Sequence, residues 1–190
     1  MFERSIRDVR RLFEKIGLGR VFAGVTRIRV VREESYHDER TDEIGLNPAD
    51  ARRPFSAFPR RGYLLIHELA HHFAKACLSG ADAASLAPLF GDIDRAYRRL
   101  PKPRSCGPDF VSRYAMTHPL EDFAETFAVC VWAEVQPGAV ARLLSERSPA
   151  CRRKLAAVRT LIRREARRAR ASGTAPRRGP PRARRGSSRR

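Results

Sequence analysis

Apolar residues recur at every third or fourth position from Phe2 to Ile16 (Phe2, Ile6, Val9, Leu12, Phe13, Ile16), which predicts an amphipathic first helix packed on the body of the protein. Gly17 and Gly19 then mark a turn. Over Val25–Val31 the pattern changes to alternating apolar and basic residues, the period of a half-buried strand. The polar run Arg32–Glu43 reads as a loop, and a short strand is expected at Ile44–Asn47, ended by Pro48. Residues 52–61, with Pro54 and Pro59, read as an irregular connector. The helical period returns strongly at Gly62–Leu78, where Leu65, Leu69, Phe73 and Ala76 recur and Gly80 lies just beyond the end. Ala83–Leu100 is predicted helical with a break near Pro88 and Gly91, followed by a loop over Pro101–Pro108. Pro119 suits a first helical position and opens a third strong helix to about Val135, ended by Pro137 and Gly138. One or two helices follow over Ala139–Arg170, with a break at Ser148–Pro149. A few strands near the start and helices thereafter predict a mainly helical α+β domain over residues 1–170.

Charge is distributed unevenly along this pattern. Thirteen arginines and one acid (Glu165) fall between Arg159 and Arg190, so that stretch carries +12 of the net +18. Residues 171–190 have almost no side chain able to form a core and are expected to be a disordered, arginine-rich tail. Such a run favours polyanions, nucleic acid among them, through charge alone. No apolar run is long enough for a transmembrane helix, and the charged N-terminus lacks the apolar stretch of a secretory signal. Cys77, Cys106, Cys130 and Cys151 are far apart, with no CxxC pair, which suggests neither a disulfide framework nor a thiolate zinc cluster. A reducing cytoplasm is the simplest fit.

The chemistry-bearing residues sit in two of the strong helices. His67-Glu68-Leu69-Ala70-His71 is an HExxH pattern. Residues four apart share a helical face, so two imidazoles can converge on one ion. Glu68, rotated by about 100°, lies beside the ion and can take a proton from a water activated there. Catalytic zinc usually has three protein ligands. The longer HExxHxxGxxH pattern is absent, because Ala74 and Cys77 stand where its glycine and third histidine would be. Glu121 and Glu125, four apart in Pro119-Leu120-Glu121-Asp122-Phe123-Ala124-Glu125, are the better source of a third ligand. With Glu121 on the metal, Glu125 can accept the remaining ring N–H of a ligand histidine. His118 is a competing third ligand. His72 points away from His71 and reads as a core or supporting histidine, and His37 as a solvent-exposed loop residue.

His67–His71, then Tyr114, then Glu121-Asp122-Phe123-Ala124-Glu125 together resemble the gluzincin metallopeptidases, and among them the anthrax lethal factor type and zinc-binding bacterial metallopeptidases. The resemblance spans roughly Gly62–Trp132. It implies a zincin-like fold, with a small N-terminal sheet, an HExxH active-site helix and a glutamate helix. It also implies one Zn2+ per chain held by His67, His71 and Glu121, with Glu68 as general base. Tyr114 would stabilise the oxyanion and Glu125 would support a ligand histidine. The expected function is zinc-dependent hydrolysis of peptide or protein substrates. The alternative is a nucleic-acid-associated basic protein in which the zinc site is structural or inactive and the tail carries the function. An exported toxin is a weaker third reading.

Overall fold

The computed structural model describes residues 2–50 and 60–172. The first helix, α1 (Glu3–Ile16), buries Val9, Leu12 and Phe13 on the face that the periodicity marked. It stops at Gly17, whose φ of 84° is left-handed and whose N–H reaches the Phe13 and Glu14 carbonyls. A side chain there would also collide with Ala166, because a Cβ would lie 2.8 Å from the alanine's own. A short helix, α2 (Gly19–Gly24), follows where only a turn was expected. Six residues offer too little periodicity to reveal it, and burial of Val21 and Phe22 holds it in place.

Three short strands, β1 (Arg27–Val30), β2 (Tyr36–Asp38) and β3 (Glu43–Leu46), form a sheet in the order β1-β3-β2. β3 pairs parallel with β1, through Ile28 against Ile44, and antiparallel with β2, through His37 against Ile44. Two expectations are corrected here. β1 is not half-buried: only Ile28 is partly covered, and Val30 is 59% exposed. The alternation in this segment therefore marks an edge strand and not a core face. The polar run Arg32–Glu43 is not all loop, since β2 lies within it, stabilised by pairing to the buried β3.

Most of the remaining described chain is helical: α3 (Arg60–Cys77), α4 (Gly80–Phe90), α5 (Pro119–Trp132), α6 (Pro137–Ser145) and α7 (Pro149–Ala171), with a 3-10 turn at Ala115–Thr117 before α5. The result is a mainly helical α+β single domain. Helix α4 keeps Pro88 inside it and stops at Gly91, so Gly91–Leu100 is irregular chain with a turn and not the second half of a broken helix. Pro137 does not end α5. It is the first residue of α6, the position in which its missing N–H costs least. The break at Ser148–Pro149 is an N-cap, with the Ser148 hydroxyl accepting from the Cys151 N–H. The connector expected at 52–61 lies outside the described residues as far as residue 59, and Arg60 already belongs to α3. The arginine tail beyond Ser172 also lies outside them.

The core is built on α3 and α5, which pack against each other through Phe73, Phe123 and Phe127. Phe73 and Phe127 have ring centroids 4.9 Å apart, and all three rings are fully buried. Every residue of α5 from Glu121 to Trp132 is buried, the acids included. A buried ion pair fixes how this helix is rotated. Lys154 Nζ of α7 donates to Asp122 Oδ2 at 2.6 Å and to the Asp109 carbonyl at 3.1 Å. With Asp122 held towards α7, Glu121 and Glu125 turn towards α3.

Candidate metal centre

Helix α3 presents His67 and His71 to α5, and α5 presents Glu121 to them. His67 Nε2 lies 3.2 Å from His71 Nε2 and 3.0 Å from Glu121 Oε2, and His71 Nε2 lies 3.6 Å from the same oxygen. Four ligands at zinc–nitrogen and zinc–oxygen distances of about 2.0–2.2 Å stand roughly 3.3–3.6 Å apart in a tetrahedron. The three atoms are already spaced as three corners of that figure. Their side chains are only 6%, 11% and 3% exposed.

The electrostatics of this cluster call for a cation. Burial alone would push His67 down, but the Glu121 and Glu125 carboxylates overcome it and hold the imidazole well above its ordinary value. Burial would likewise raise Glu121, yet its contacts with His67 and His71 hold it well below the carboxylate range. Without a metal, a shared proton does the work of a positive charge. Glu121 Oε2 is buried and faces the two imidazole nitrogens, so the donor set of two imidazoles and one carboxylate fits a divalent ion of the zinc type.

The remaining residues named from the sequence surround these three. Glu125 Oε1 lies 2.9 Å from His67 Nδ1, within hydrogen-bond reach of that ring nitrogen. Glu68 is buried and lines the cleft of about 810 Å³ that opens onto His67, His71 and Glu121. Burial raises its carboxyl to about 7, which suits a general base near neutral pH. Tyr114 lines the same cleft, with its ring centroid 5.6 Å from that of His67. Burial and the nearby Glu121 push its phenol up, so it stays protonated and able to donate.

Three further residues belong to the site. The Tyr63 hydroxyl donates to Glu125 Oε2 at 3.1 Å, and so completes a chain from Tyr63 through Glu125 to His67. Tyr63 stands four residues before His67 on the same helical face, a spacing that the sequence displays. The Tyr97 hydroxyl donates to Glu121 Oε1, while Oε2 faces the two imidazoles. Arg99 Nη1 donates to the Tyr114 hydroxyl at 2.9 Å while the guanidinium grips Glu34 at 2.5 and 3.0 Å. Tyr97 and Arg99 come from an irregular segment with no periodic signal, so only the fold brings them in.

Two histidines need comment. His118 stays out of the cluster: its Nδ1 accepts from the Leu120 N–H at 3.1 Å and caps α5. His37, expected in solvent, is instead on β2 with a side chain only 1% exposed. Its partner across the interface is His72, which is buried on α3.

Residues 62–134 match the model of a family described as "Putative zinc-binding metallo-peptidase". The chain is similar to that family over this stretch. That stretch contains α3 from residue 62 onward and all of α5, together with Tyr63, Tyr97, Arg99 and Tyr114, and it falls on nearly the same residues as the motif resemblance. No curated protein and no solved structure matches the chain. The match supports a zinc-binding peptidase, and hence a peptide or protein substrate. It lends no support to nucleic-acid binding. Among the described residues, no helix is long and apolar enough to cross a membrane.

Proposed function

We propose that the protein is a gluzincin-type metallopeptidase in which His67, His71 and Glu121 hold one zinc ion. The observation that carries this reading is the convergence of three ligand atoms, two of them from buried residues, within 3.0–3.6 Å, next to a buried glutamate raised to about 7. When bound, zinc supplies Lewis acidity to the attacking water and to the scissile carbonyl. Glu68 accepts the proton that the water loses as it attacks, and returns it to the amine that leaves. The Tyr114 hydroxyl donates to the carbonyl oxygen as negative charge collects there, and Arg99 holds that hydroxyl in place. Glu125 and Tyr63 fix the ring orientation and tautomer of His67.

The test is cleavage of a fluorescence-quenched peptide library by the zinc-loaded chain and by Glu68→Gln. The variant is expected to bind zinc as the natural chain does and to lose roughly 10²–10⁴-fold in turnover. Undiminished cleavage by Glu68→Gln would overturn the mechanism. A variant that loses its zinc instead would move Glu68 from base to ligand.

A further inference from the structure

A second histidine–carboxylate cluster lies on another face of α3, where the helix meets the sheet. His72 comes from α3, His37 from β2, and Asp42 from the turn joining β2 to β3. Asp42 Oδ1 lies 3.0 Å from His72 Nδ1 and 3.3 Å from His37 Nε2, so one oxygen faces two imidazole nitrogens. The rings stand edge to face with centroids 5.2 Å apart, and their side chains are 5% and 1% exposed. The two separations from Asp42 are close to the edge of a tetrahedron around an ion with bonds of about 2.0–2.2 Å, and the three side chains offer ligand atoms all within 4.8 Å of one another.

The arrangement is held from several sides. Asp42 sits at φ 54°, in the left-handed region, with its N–H donating to the Asp38 carbonyl at 2.8 Å. The His72 ring lies against Gly24, where a Cβ would come 2.6 Å from Nε2, so no larger residue fits without moving the imidazole. His37 Nδ1 is buried and has no hydrogen-bond partner. One further group touches the cluster. Lys75 Nζ donates to the same Asp42 Oδ1 at 2.8 Å and to the Glu39 carbonyl. Lys75 is 37% exposed and lines the cleft together with His37, so an ion can approach from that side and the flexible lysine has room to withdraw.

We propose that His37, Asp42 and His72 form a second site for a divalent ion of the zinc class, weaker than the first and guarded by the Lys75 ammonium on Asp42. Two imidazole nitrogens and one carboxylate oxygen make a donor set that zinc and cobalt accept. An ion there must displace Lys75 from Oδ1, a competition that the His67–His71–Glu121 cluster does not impose, because Glu121 contacts imidazoles and a phenol. Once bound, the ion would pin the β2–β3 turn to α3 and thereby fix one wall of the cleft.

The experiment is a Co2+ titration of the full chain, followed by visible absorption, with circular dichroism to check folding. The natural chain is expected to bind two ions, the second more weakly. Glu121→Ala should keep only the weaker ion, and adding either His37→Gln or Asp42→Asn should abolish it. Lys75→Gln in the Glu121→Ala background should tighten that ion roughly tenfold, the worth of removing one nearby charge at a partly exposed site. A folded Glu121→Ala chain that binds no ion would overturn the proposal. So would an ion that survives both His37→Gln and Asp42→Asn, one that shows thiolate charge transfer, or one indifferent to Lys75→Gln. A natural chain that loses its only ion with His37→Gln, but not with Glu121→Ala, would support this site and refute the first.

Discussion

Helix α3 carries two histidine–carboxylate clusters, and their difference lies in charge. On the face towards α5, His67 and His71 meet Glu121 and Glu125, with Glu68 beside them, and the hydrogen-bonding partners around these acids are imidazoles and phenols. On the face towards the sheet, His37 and His72 meet one carboxylate that already has Lys75 on it. The first cluster buries an excess of negative charge, which only a proton or a metal cation can offset. The second is balanced by its own lysine. The lesson is that ligand spacing alone does not rank metal sites; the charge left uncompensated around the ligands does.

The largest expected effect comes from removing a ligand. His67→Ala or Glu121→Ala should lower zinc affinity by well over the roughly 100-fold that losing an outer partner costs at most, measured by competition with a chelator. Breaking the support should cost less. Glu125→Gln should weaken zinc roughly 10–100-fold, and Tyr63→Phe should do so by less, because it removes one neutral hydrogen bond from Glu125. If Glu125→Gln instead left affinity unchanged, the first cluster would lack the outer partner that distinguishes it from the second.

Stability sharpens the same comparison. Lys154→Met leaves Asp122 buried and unpaired and should destabilise the fold by about 3–5 kcal/mol in urea unfolding. Because that pair fixes the rotation of α5, zinc affinity should fall with it, while the cluster facing the sheet should be indifferent. The smallest effect is expected far from both clusters. Asp82 caps α4 through Ser79 and grips Arg164 of α7, and those contacts hold its carboxyl below the ordinary range, Arg164 first among them. A depressed carboxyl stabilises the fold above its unfolded value and loses that contribution as pH falls through its folded value. Stability measured below about pH 4 should therefore decline from this group, and Asp82→Asn should flatten that decline at a cost of about 1 kcal/mol at neutral pH.

Much of the first cluster was legible in the sequence because its candidate ligands obey helical spacing. His67 and His71 share a turn, as do Glu121 and Glu125, and each pair sits in a strongly periodic helix. The approach of Glu125 to His67 was foreseeable from the same spacing. The second cluster left no such trace. His37, Asp42 and His72 come from a strand, a turn and a helix, and β2 itself was hidden in a polar run. Tyr97 and Arg99 reach the cleft from irregular chain, and Asp122 pairs with a lysine 32 residues away. Contacts of that kind are made by the fold and are not announced by local pattern. The family match supports a zinc-binding peptidase over residues 62–134 and stops there.

The most direct test of the central claim is zinc affinity of the natural chain, Glu121→Ala and Glu68→Gln, measured side by side by chelator competition. The account predicts that Glu121→Ala loses tight binding while Glu68→Gln keeps it, since one carboxylate is a ligand and the other stands beside the metal as a base. Equal affinities for all three chains, with folding intact, would contradict it.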